Sequence, residues 1–132
     1  MNEISLFDYK KIINNKGNIF KLLDGKSFSS HLKGELYISQ INSGEVKAWR
    51  KHKLYEALFI VVAGEVVFKC IDNKNNLIMN KMLSLDSCKL IKVDPNLWYG
   101  FKGISKSTST LLVLINGLHR ESEIERMEYD DF

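Results

Sequence analysis

The feature that most constrains the fold is a series of short apolar or β-branched segments separated by turn residues, with almost no helical periodicity. Residues 58–62 are continuously apolar, Ala63, Gly64 and Glu65 form a turn, and residues 66–71 return. At least eight such strands in about 100 residues predict an antiparallel sandwich or barrel. Further strand segments are 4–13 (an edge strand or a short helical turn), 18–23, 35–42, 77–83, 89–93, 98–104 and 111–115. Only residues 120–127 are predicted to be helical.

The length allows one domain. A chain of 132 residues with 45% hydrophobic content can bury a single sizeable core, so residues 1–132 are predicted to form one unit. No apolar run approaches the roughly 20 residues that cross a bilayer, and MNEISLFDYKK lacks the order of a signal peptide. We therefore expect a cytoplasmic protein with no membrane partner, in which Cys70 and Cys88 are reduced thiols.

The charge is unevenly distributed along the chain. Residues 1–119 hold 17 Lys+Arg against 10 Asp+Glu, a net charge of +7, while residues 120–132 hold 2 against 6, a net charge of −4. A basic body favours an anionic ligand such as a phosphate ester, and the alternative is an ordinary solvated surface. No recognition helix or aromatic RNA-binding motif accompanies the charge, so no nucleic-acid partner is expected.

The stretch VKAWRKH places one histidine among cations just before the most apolar strand. In an extended chain, Arg50 and His52 share one face, while Trp49, Lys51 and Lys53 share the other. A histidine beside an arginine on one face is a candidate base next to an anion site. The alternative is an exposed cationic edge strand, in which lysines prevent pairing with another chain.

Four segments together resemble the dTDP-4-dehydrorhamnose 3,5-epimerase family of cupin-fold enzymes. They are GELYISQINSGEVKAWRKH, LFIVVAGEVVF, LIKVDPNLWYGFKGIS and HRESEIERMEYDD. The resemblance spans residues 16–131 and is nearer to a short branch with Trp-x-x-His and Leu-Trp-Tyr-Gly-Phe-Lys-Gly signatures. It implies an all-β, cupin-type antiparallel jelly-roll barrel with a short C-terminal helical or irregular tail. It also implies a homodimer that binds a nucleotide-linked sugar.

The same resemblance implies a chemistry. In a 4-keto sugar the carbons beside the carbonyl are acidic, so a base removes a proton, cations stabilise the enolate and an acid returns a proton. His52 matches the family's base histidine, and Asp130, with Asp131 beside it, is the nearest counterpart of its carboxylate partner. The expected activity is epimerisation or isomerisation of a nucleotide-linked 4-keto-6-deoxyhexose in surface-glycan biosynthesis. The alternatives are a non-catalytic cupin that binds a carbohydrate or sugar nucleotide, and a plain dimerisation module.

Two positions depart from the family pattern. The family's enolate-stabilising lysine corresponds to Ala57, and its acidic tyrosine falls near Leu112. Tyr99, where the epimerases have a histidine, is the candidate replacement for the acid. The candidate replacements for the lysine are Arg50, Lys51 and Lys53.

Four further side chains are candidate substrate contacts: Trp49, Trp98, Glu56 and Gln40. The aromatic residues around Trp98 can alternatively belong to the core or to a dimer interface. Gln40 and Tyr37 lie on opposite faces of their strand, so only one of them can face the barrel interior. The His-x-His-x(3,4)-Glu motif of metal-binding cupins is absent because Leu54 stands two positions after His52. No metal or other cofactor is therefore expected, the alternative being a cation held by Glu56 and His52.

Overall fold

The computed structural model describes residues 3–23, 34–128 and 132, and within them the chain is built almost entirely of β-strands. Two short 3-10 turns interrupt them, at Leu85–Ser87 and Glu121–Glu123. The described residues contain no helix that is long and apolar enough to span a membrane. The strands are β1 (Ile4–Asp8), β2 (Lys10–Ile12), β3 (Ile19–Lys21), β4 (Glu35–Ile41), β5 (Val46–His52), β6 (Ala57–Ala63), β7 (Glu65–Ile71), β8 (Leu77–Ser84), β9 (Lys89–Val93), β10 (Trp98–Gly103), β11 (Ser109–Ile115) and β12 (Ile124–Arg126).

Two five-stranded antiparallel sheets form the barrel. The first has the strand order β1-β9-β6-β11-β4 and the second the order β12-β5-β10-β7-β8, while β2 and β3 form a separate hairpin. This arrangement confirms the predicted cupin-type jelly roll. The turn predicted at residues 63–65 is also confirmed, since Gly64 adopts a positive φ angle of 76°. Asn96, a residue type that tolerates a left-handed backbone and favours a turn, has a φ angle of 69°. Asp24 and Gly25, a pair that also predicts a turn, lie outside the described residues.

The space between the sheets is filled by aromatic rings. Phe59 of the first sheet has its ring centroid 4.8 Å from that of Tyr99 and 5.0 Å from that of Phe101, both on the second sheet. Phe68 lies 5.1 Å from Phe101 and is completely buried. These separations are typical of favourable aromatic pairs. Of the aromatic residues around Trp98, Tyr99 and Phe101 therefore face inward and belong to the core.

The first sheet is apolar on both of its faces. Leu58 and Ile60 of β6 point away from the barrel and are buried with Leu90 in a second apolar cluster. The β2–β3 hairpin and the neighbouring Tyr9 cover this cluster. The ring centroids of Tyr9 and Phe20 are 6.4 Å apart. Burial on both faces explains why residues 58–62 lack the alternation of a half-exposed strand.

The predicted helix at residues 120–127 is wrong. The segment forms the 3-10 turn Glu121–Glu123 and then strand β12, which pairs antiparallel with β5. The amide of Lys53 donates to the carbonyl of Glu123 at 2.8 Å, and Trp49 and Met127 exchange two backbone hydrogen bonds. Pairing with the free edge of β5 satisfies the backbone in place of helical hydrogen bonds.

Both cysteines are free thiols, as expected. Burial in the core raises the pKa of the Cys70 thiol to about 12. Cys70 therefore acts as a small apolar core residue at neutral pH.

Candidate active site

Strand β5 contains a β-bulge that changes which side chains face the space between the sheets. Arg50 pairs with Tyr99 and Lys47 pairs with Phe101, so the two residues between them on β5 lie opposite the single Gly100. Tyr99 and Phe101 both face inward, and their partners Lys47 and Arg50 both line the same cavity. The bulge thus places two cations three positions apart on one face, which regular alternation forbids.

Gly100 is the residue that accommodates this bulge. A Cβ atom at Gly100 would lie 2.4 Å from the Cβ of Ala48, well inside van der Waals contact. The alternation predicted for Trp49 is wrong for the same reason, because Trp49 lines the cavity together with Arg50. Its ring also packs on that of Phe132 at 5.2 Å. Simple strand alternation fails here because the bulge contributes one extra residue.

His52, at the end of β5, forms the centre of a buried hydrogen-bonded array. Its Nδ1 lies 2.6 Å from Oε1 of Glu123 and its Nε2 lies 3.0 Å from the hydroxyl of Tyr99. All three side chains are buried, with 3 to 5% of their surface exposed. A carboxylate can only accept, so Nδ1 carries the proton and donates to Glu123. Nε2 is then the unprotonated nitrogen and accepts from the Tyr99 hydroxyl.

This arrangement favours a neutral imidazole. Burial lowers the pKa of His52, while the Glu123 carboxylate opposes that shift and Arg50 adds to it. A histidine that is neutral at pH 7, with a carboxylate holding its tautomer, has the protonation state that a general base needs. Burial also raises the pKa of Tyr99 far above its ordinary value, so its hydroxyl remains protonated and donates.

Arg50 lines the larger cavity together with Tyr99 and a second tyrosine, Tyr37. Its positive charge lowers the pKa of each phenol, whereas burial raises it. Tyr37 comes from β4 of the opposite sheet, where it pairs with Val113. The sequence analysis allowed only one of Tyr37 and Gln40 to face the interior, and the structure places Tyr37 there.

The larger cavity lies between the two sheets and has a volume of about 660 Å³. One part of its wall is polar and includes Tyr37, Arg50 and Tyr99, while another part is aromatic and aliphatic. That second part is formed by Phe59, Phe101, Leu111 and Val113. A cavity of this size, apolar with a few convergent polar groups, suits a small organic ligand.

A smaller cavity of about 340 Å³ lies on the other side of His52. Tyr37 and Arg50 line both cavities, whereas His52 and Glu123 line the smaller one. Tyr55 also lines it and is absent from the lining of the larger cavity. The array around His52 therefore separates two spaces that share Tyr37 and Arg50.

The carboxylate partner of His52 is a residue that the sequence analysis did not select. The resemblance implied Asp130, which, like Asp131, lies outside the described residues, and the structure places Glu123 on Nδ1. Glu123 was overlooked because its segment was assigned to a helix. If the same acidic segment had been predicted as a strand that pairs with β5, one of its carboxylates would have been expected beside His52.

The structure places three predicted substrate contacts on the outer face of the second sheet. Lys51 lies 4.8 Å above the ring of Trp98 and forms an ion pair with Glu125 at 3.2 Å. Lys53 lies 3.7 Å from the same carboxylate and is half-exposed. These residues alternate with Arg50, His52 and Tyr99, so they face away from the cavity.

Glu56 and Gln40 are also absent from both cavity linings. Glu56 lies 3.7 Å from Lys92, and its carboxylate accepts from Asn116 at 3.4 Å. Gln40 is exposed on β4 opposite Thr110. Within residues 3–23, 34–128 and 132, no three His, Cys, Asp or Glu side chains converge as a metal-binding group.

Comparison with known families accounts for nearly the whole chain. The family described as "FdtA: WxcM-like, C-terminal" matches residues 2–132. The chain belongs to this family.

Individual relatives extend this assignment to sugar-nucleotide enzymes. A TDP-4-oxo-6-deoxy-alpha-D-glucose-3,4-oxoisomerase from Aneurinibacillus thermoaerophilus is 25% identical over 131 residues, covering 98% of this chain and 90% of that protein. A dTDP sugar isomerase from Desulfovibrio desulfuricans has a similar structure, with a TM-score of 0.85 and 25% identity over 97% of this chain and 85% of the other.

The epimerases of the resemblance share the fold. The dTDP-6-deoxy-D-glucose-3,5-epimerase from Legionella pneumophila, solved with dTDP-4-keto-L-rhamnose, superposes with a TM-score of 0.82. It is 13% identical, and the match covers 97% of this chain and 74% of that one. At this identity the similarity establishes the fold and leaves the reaction to be argued from the site.

Proposed function

We propose that the protein catalyses 3,4-ketoisomerisation of a nucleotide-linked 4-keto-6-deoxyhexose, with dTDP-4-keto-6-deoxyglucose as the substrate. The name of the Aneurinibacillus relative, which aligns over 98% of this chain, supports this reaction. Membership of the WxcM-like family over residues 2–132 supports it as well. Neither the non-catalytic binding module nor the plain dimerisation module of the sequence analysis accounts for the buried acid–base array.

The observation that carries the proposal is the Glu123–His52–Tyr99 array, in which Tyr99 lines the larger cavity while His52 and Glu123 line the smaller one. The Nδ1–Glu123 distance of 2.6 Å fixes the tautomer, and the Nε2–Tyr99 distance of 3.0 Å fixes the direction of the free lone pair. For His52 to act as the base, the Tyr99 hydroxyl must move from Nε2 to a sugar oxygen, because the single lone pair of Nε2 points at that hydroxyl. The unprotonated nitrogen is then available for a carbon-bound proton.

The reaction needs one carbon base that serves two adjacent carbons. His52 Nε2 removes the proton from C3, the C–H electrons form the C3=C4 double bond, and the carbonyl electrons move to O4. In the second half, the proton of O3 passes to O4, O3 becomes the ketone, and the double-bond electrons at C4 take the other proton back from His52. C3 is oxidised and C4 is reduced within one molecule, so no external oxidant is needed.

The opposite wall of the cavity distinguishes this reaction from 3,5-epimerisation. An epimerase must return the proton to the other face of the sugar ring, so it needs an acid across from the base. Leu111 and Val113 flank the position where the resemblance expected that acid, and both face the cavity. Leu112 points to the other face of the sheet, where it packs with the outer apolar cluster. Strand β11 therefore has no phenol at the position of the family's acid, which favours return of the proton along the face from which it was removed.

The cations of the cavity suit the diphosphate of the proposed substrate. Lys47, Arg50 and Arg126 all line the larger cavity. Lys47 Nζ lies 3.3 Å from the hydroxyl of Ser39, which holds it at the rim. These cavity cations support an anion site to which Lys47 contributes in place of Lys51 and Lys53.

Proton NMR of dTDP-4-keto-6-deoxyglucose incubated with the protein in heavy water tests the proposal. We expect a 3-keto product that carries deuterium at C4 to an extent set by exchange, with no deuterium at C5. Enzyme-dependent exchange at C5 would instead indicate a 3,5-epimerase. Binding of the substrate with neither exchange nor product would favour a non-catalytic module.

We also propose that the protein is a cytoplasmic homodimer, as the resemblance implied. Light scattering coupled to size exclusion measures the mass directly against the 15.2 kDa of one chain. A mass near that value at micromolar concentration contradicts the dimer and leaves the proposed reaction unaffected.

A further inference from the structure

We propose that Phe132 is a positioning residue for substrate binding, because its ring supports the bulge of β5 from the outer face of the second sheet. The bulge in turn directs Lys47 and Arg50 towards the larger cavity. The inference rests on the proposed function, which makes these two cations contacts for the diphosphate of a nucleotide-linked sugar. It adds a residue that acts on binding without contacting the substrate.

The outer surface of the bulge has a hollow that Phe132 fills. Gly100 lies between the inward-facing Tyr99 and Phe101 on β10, so a side chain at this position would point outward. A Cβ atom at Gly100 would lie 2.9 Å from Cε2 of the Phe132 ring. An aromatic ring that covers a glycine of a sheet supplies packing that the glycine lacks. Phe132 therefore occupies the space of a side chain at position 100.

Two contacts with Lys69 hold Phe132 in this position. The ammonium of Lys69 lies 4.8 Å from the centroid of the Phe132 ring and donates a hydrogen bond to the backbone carbonyl of Phe132. Lys69 pairs with Gly100 across β7 and β10, so it reaches the ring from the same outer face. Both side chains are half-buried, and a cation above an aromatic ring contributes more when water is partly excluded.

Trp49 connects Phe132 to the cavity. The centroids of the two rings are 5.2 Å apart, a separation typical of favourable aromatic pairs. Trp49 is one of the two bulge residues opposite Gly100, and it lines the larger cavity beside Arg50. Loss of the Phe132 ring would leave the indole without this partner and the bulge without support on its outer face.

The bulge depends on such packing more than a regular strand does. Its extra residue interrupts the hydrogen-bonded ladder between β5 and β10, so side-chain contacts contribute more to the local conformation. Lys47 and Arg50 face one cavity only in the bulged register, and a small displacement weakens their contacts with a diphosphate. The hydrogen bonds of His52 do not involve Phe132. We therefore expect Phe132 to affect binding more than chemistry.

The test compares affinity with turnover in Phe132→Ala. Isothermal titration calorimetry measures the Kd of dTDP, which carries the diphosphate without the sugar. NMR of product formation from dTDP-4-keto-6-deoxyglucose gives KM and kcat. We expect both Kd and KM to rise roughly 5- to 20-fold, the effect of a small displacement of a binding group. The value of kcat should stay within about threefold of wild type.

Phe20→Ala is the matched control. Phe20 is also half-buried, with the ring centroid of Tyr9 6.4 Å from its own and the ammonium of Lys11 5.6 Å away. It belongs to the hairpin that covers the first sheet, so its loss removes similar packing without contacting the bulge. Urea denaturation should show comparable losses of stability in the two variants. Phe20→Ala should keep the Kd and KM within about twofold of wild type, as expected for a distant site.

Two further variants separate a specific role from general loosening. Phe132→Tyr keeps an aromatic ring over Gly100 and should return the Kd of dTDP to within about threefold of wild type. Lys69→Met keeps the apolar stem but loses both contacts with Phe132, and it should raise the Kd roughly 2- to 5-fold. In the Phe132→Ala background the same lysine change should have no further effect, because Lys69 acts through Phe132.

The outcomes distinguish this inference from the proposed function. A rise in Kd and KM in Phe132→Ala, absent from Phe20→Ala and reversed in Phe132→Tyr, supports the positioning role. An unchanged Kd in Phe132→Ala, an equal rise in Phe20→Ala, or a fall in kcat with KM unchanged would overturn that role and leave the ketoisomerase standing. If the wild-type protein binds dTDP but does not isomerise the sugar, the proposed function is wrong and the Kd values alone decide the role of Phe132. A wild-type protein that does not bind dTDP overturns both.

Discussion

The two faces of strand β5 carry similar charges and have different surroundings. On the inner face, Arg50 lines the cavity with Tyr37 and Tyr99, and His52 is 5% exposed between a carboxylate and a hydroxyl. On the outer face, Lys51 and Lys53 both lie near the carboxylate of Glu125, which is 41% exposed. The inner groups are desolvated and fixed in direction, whereas the outer pairs are weakened by water.

The segment that leads into strand β12 shows the same contrast between two glutamates. Glu123 is buried and bonds to His52, whereas Glu125 lies near Lys51 and Lys53. The two residues are separated by one position and belong to the same acidic segment. Burial and hydrogen-bond geometry, and not charge alone, therefore distinguish the glutamate that bonds to His52 from the one that pairs with the outer lysines.

Replacement of the inner histidine should have the largest effect. His52→Asn keeps a polar side chain that can donate to Glu123 but has no basic nitrogen. We expect the rate of product formation to fall by about 10² to 10⁴, the usual contribution of a general base. The assay follows the 3-keto product by NMR, with Lys53→Asn as the control on the opposite face. Activity within tenfold of wild type would exclude His52 as the base.

Removal of the charge behind the histidine should have the next largest effect. Glu123→Gln leaves a carbonyl that can accept from Nδ1, so the tautomer is kept while the carboxylate's support of the imidazolium is lost. We expect kcat to fall roughly 10- to 100-fold, less than for loss of the base itself. Glu125→Gln is the matched control and should stay within twofold of wild type. Equal losses in the two variants would contradict the distinction between the glutamates.

The fold was accessible from the sequence because strand signals are local. Alternation, β-branched residues and turn residues predicted strands that the structure confirms, and Asn96 was recognised as a left-handed turn residue. His52 and Arg50 were predicted to share one face of their strand and Tyr99 was selected as a candidate acid, and the structure brings the three together. They lie on adjacent strands of one sheet, so their contact follows from strand pairing.

The remainder of the site depends on features that no local pattern encodes. Lys47 faces the cavity only because of the bulge opposite Gly100, and Trp49 was placed on the wrong face for the same reason. Glu123 reaches His52 only because β12 adds to the edge of β5 from 71 residues away. Lys51 and Lys53, chosen by charge and proximity in sequence, face outward. Charge identified the strand, and tertiary pairing determined which of its side chains face the cavity.

The pH dependence of the reaction should sharpen the comparison between the glutamates. His52 must be neutral to act as a base, and burial lowers its pKa below the ordinary value of about 6.5. The value of kcat/KM should therefore rise with pH to a plateau, with the midpoint of the rise below about 6.5. The Glu123 carboxylate raises the pKa of His52, so Glu123→Gln should move the midpoint to lower pH. A midpoint that moves upward, or one that moves equally in Glu125→Gln, contradicts this account.

The smallest effects should come from the outer face. Lys51→Met removes the ion pair with Glu125 and the cation above Trp98 but keeps most of the apolar stem. We expect a loss of about 0.5 to 1 kcal/mol in the free energy of unfolding, measured by urea denaturation, with activity within twofold of wild type. Lys53→Met, whose ammonium is more distant from Glu125 and more exposed, should lose less. If Lys51→Met instead lowered kcat as strongly as Glu123→Gln, the outer face would share in the chemistry. The division of β5 into a catalytic and a structural face would then be wrong.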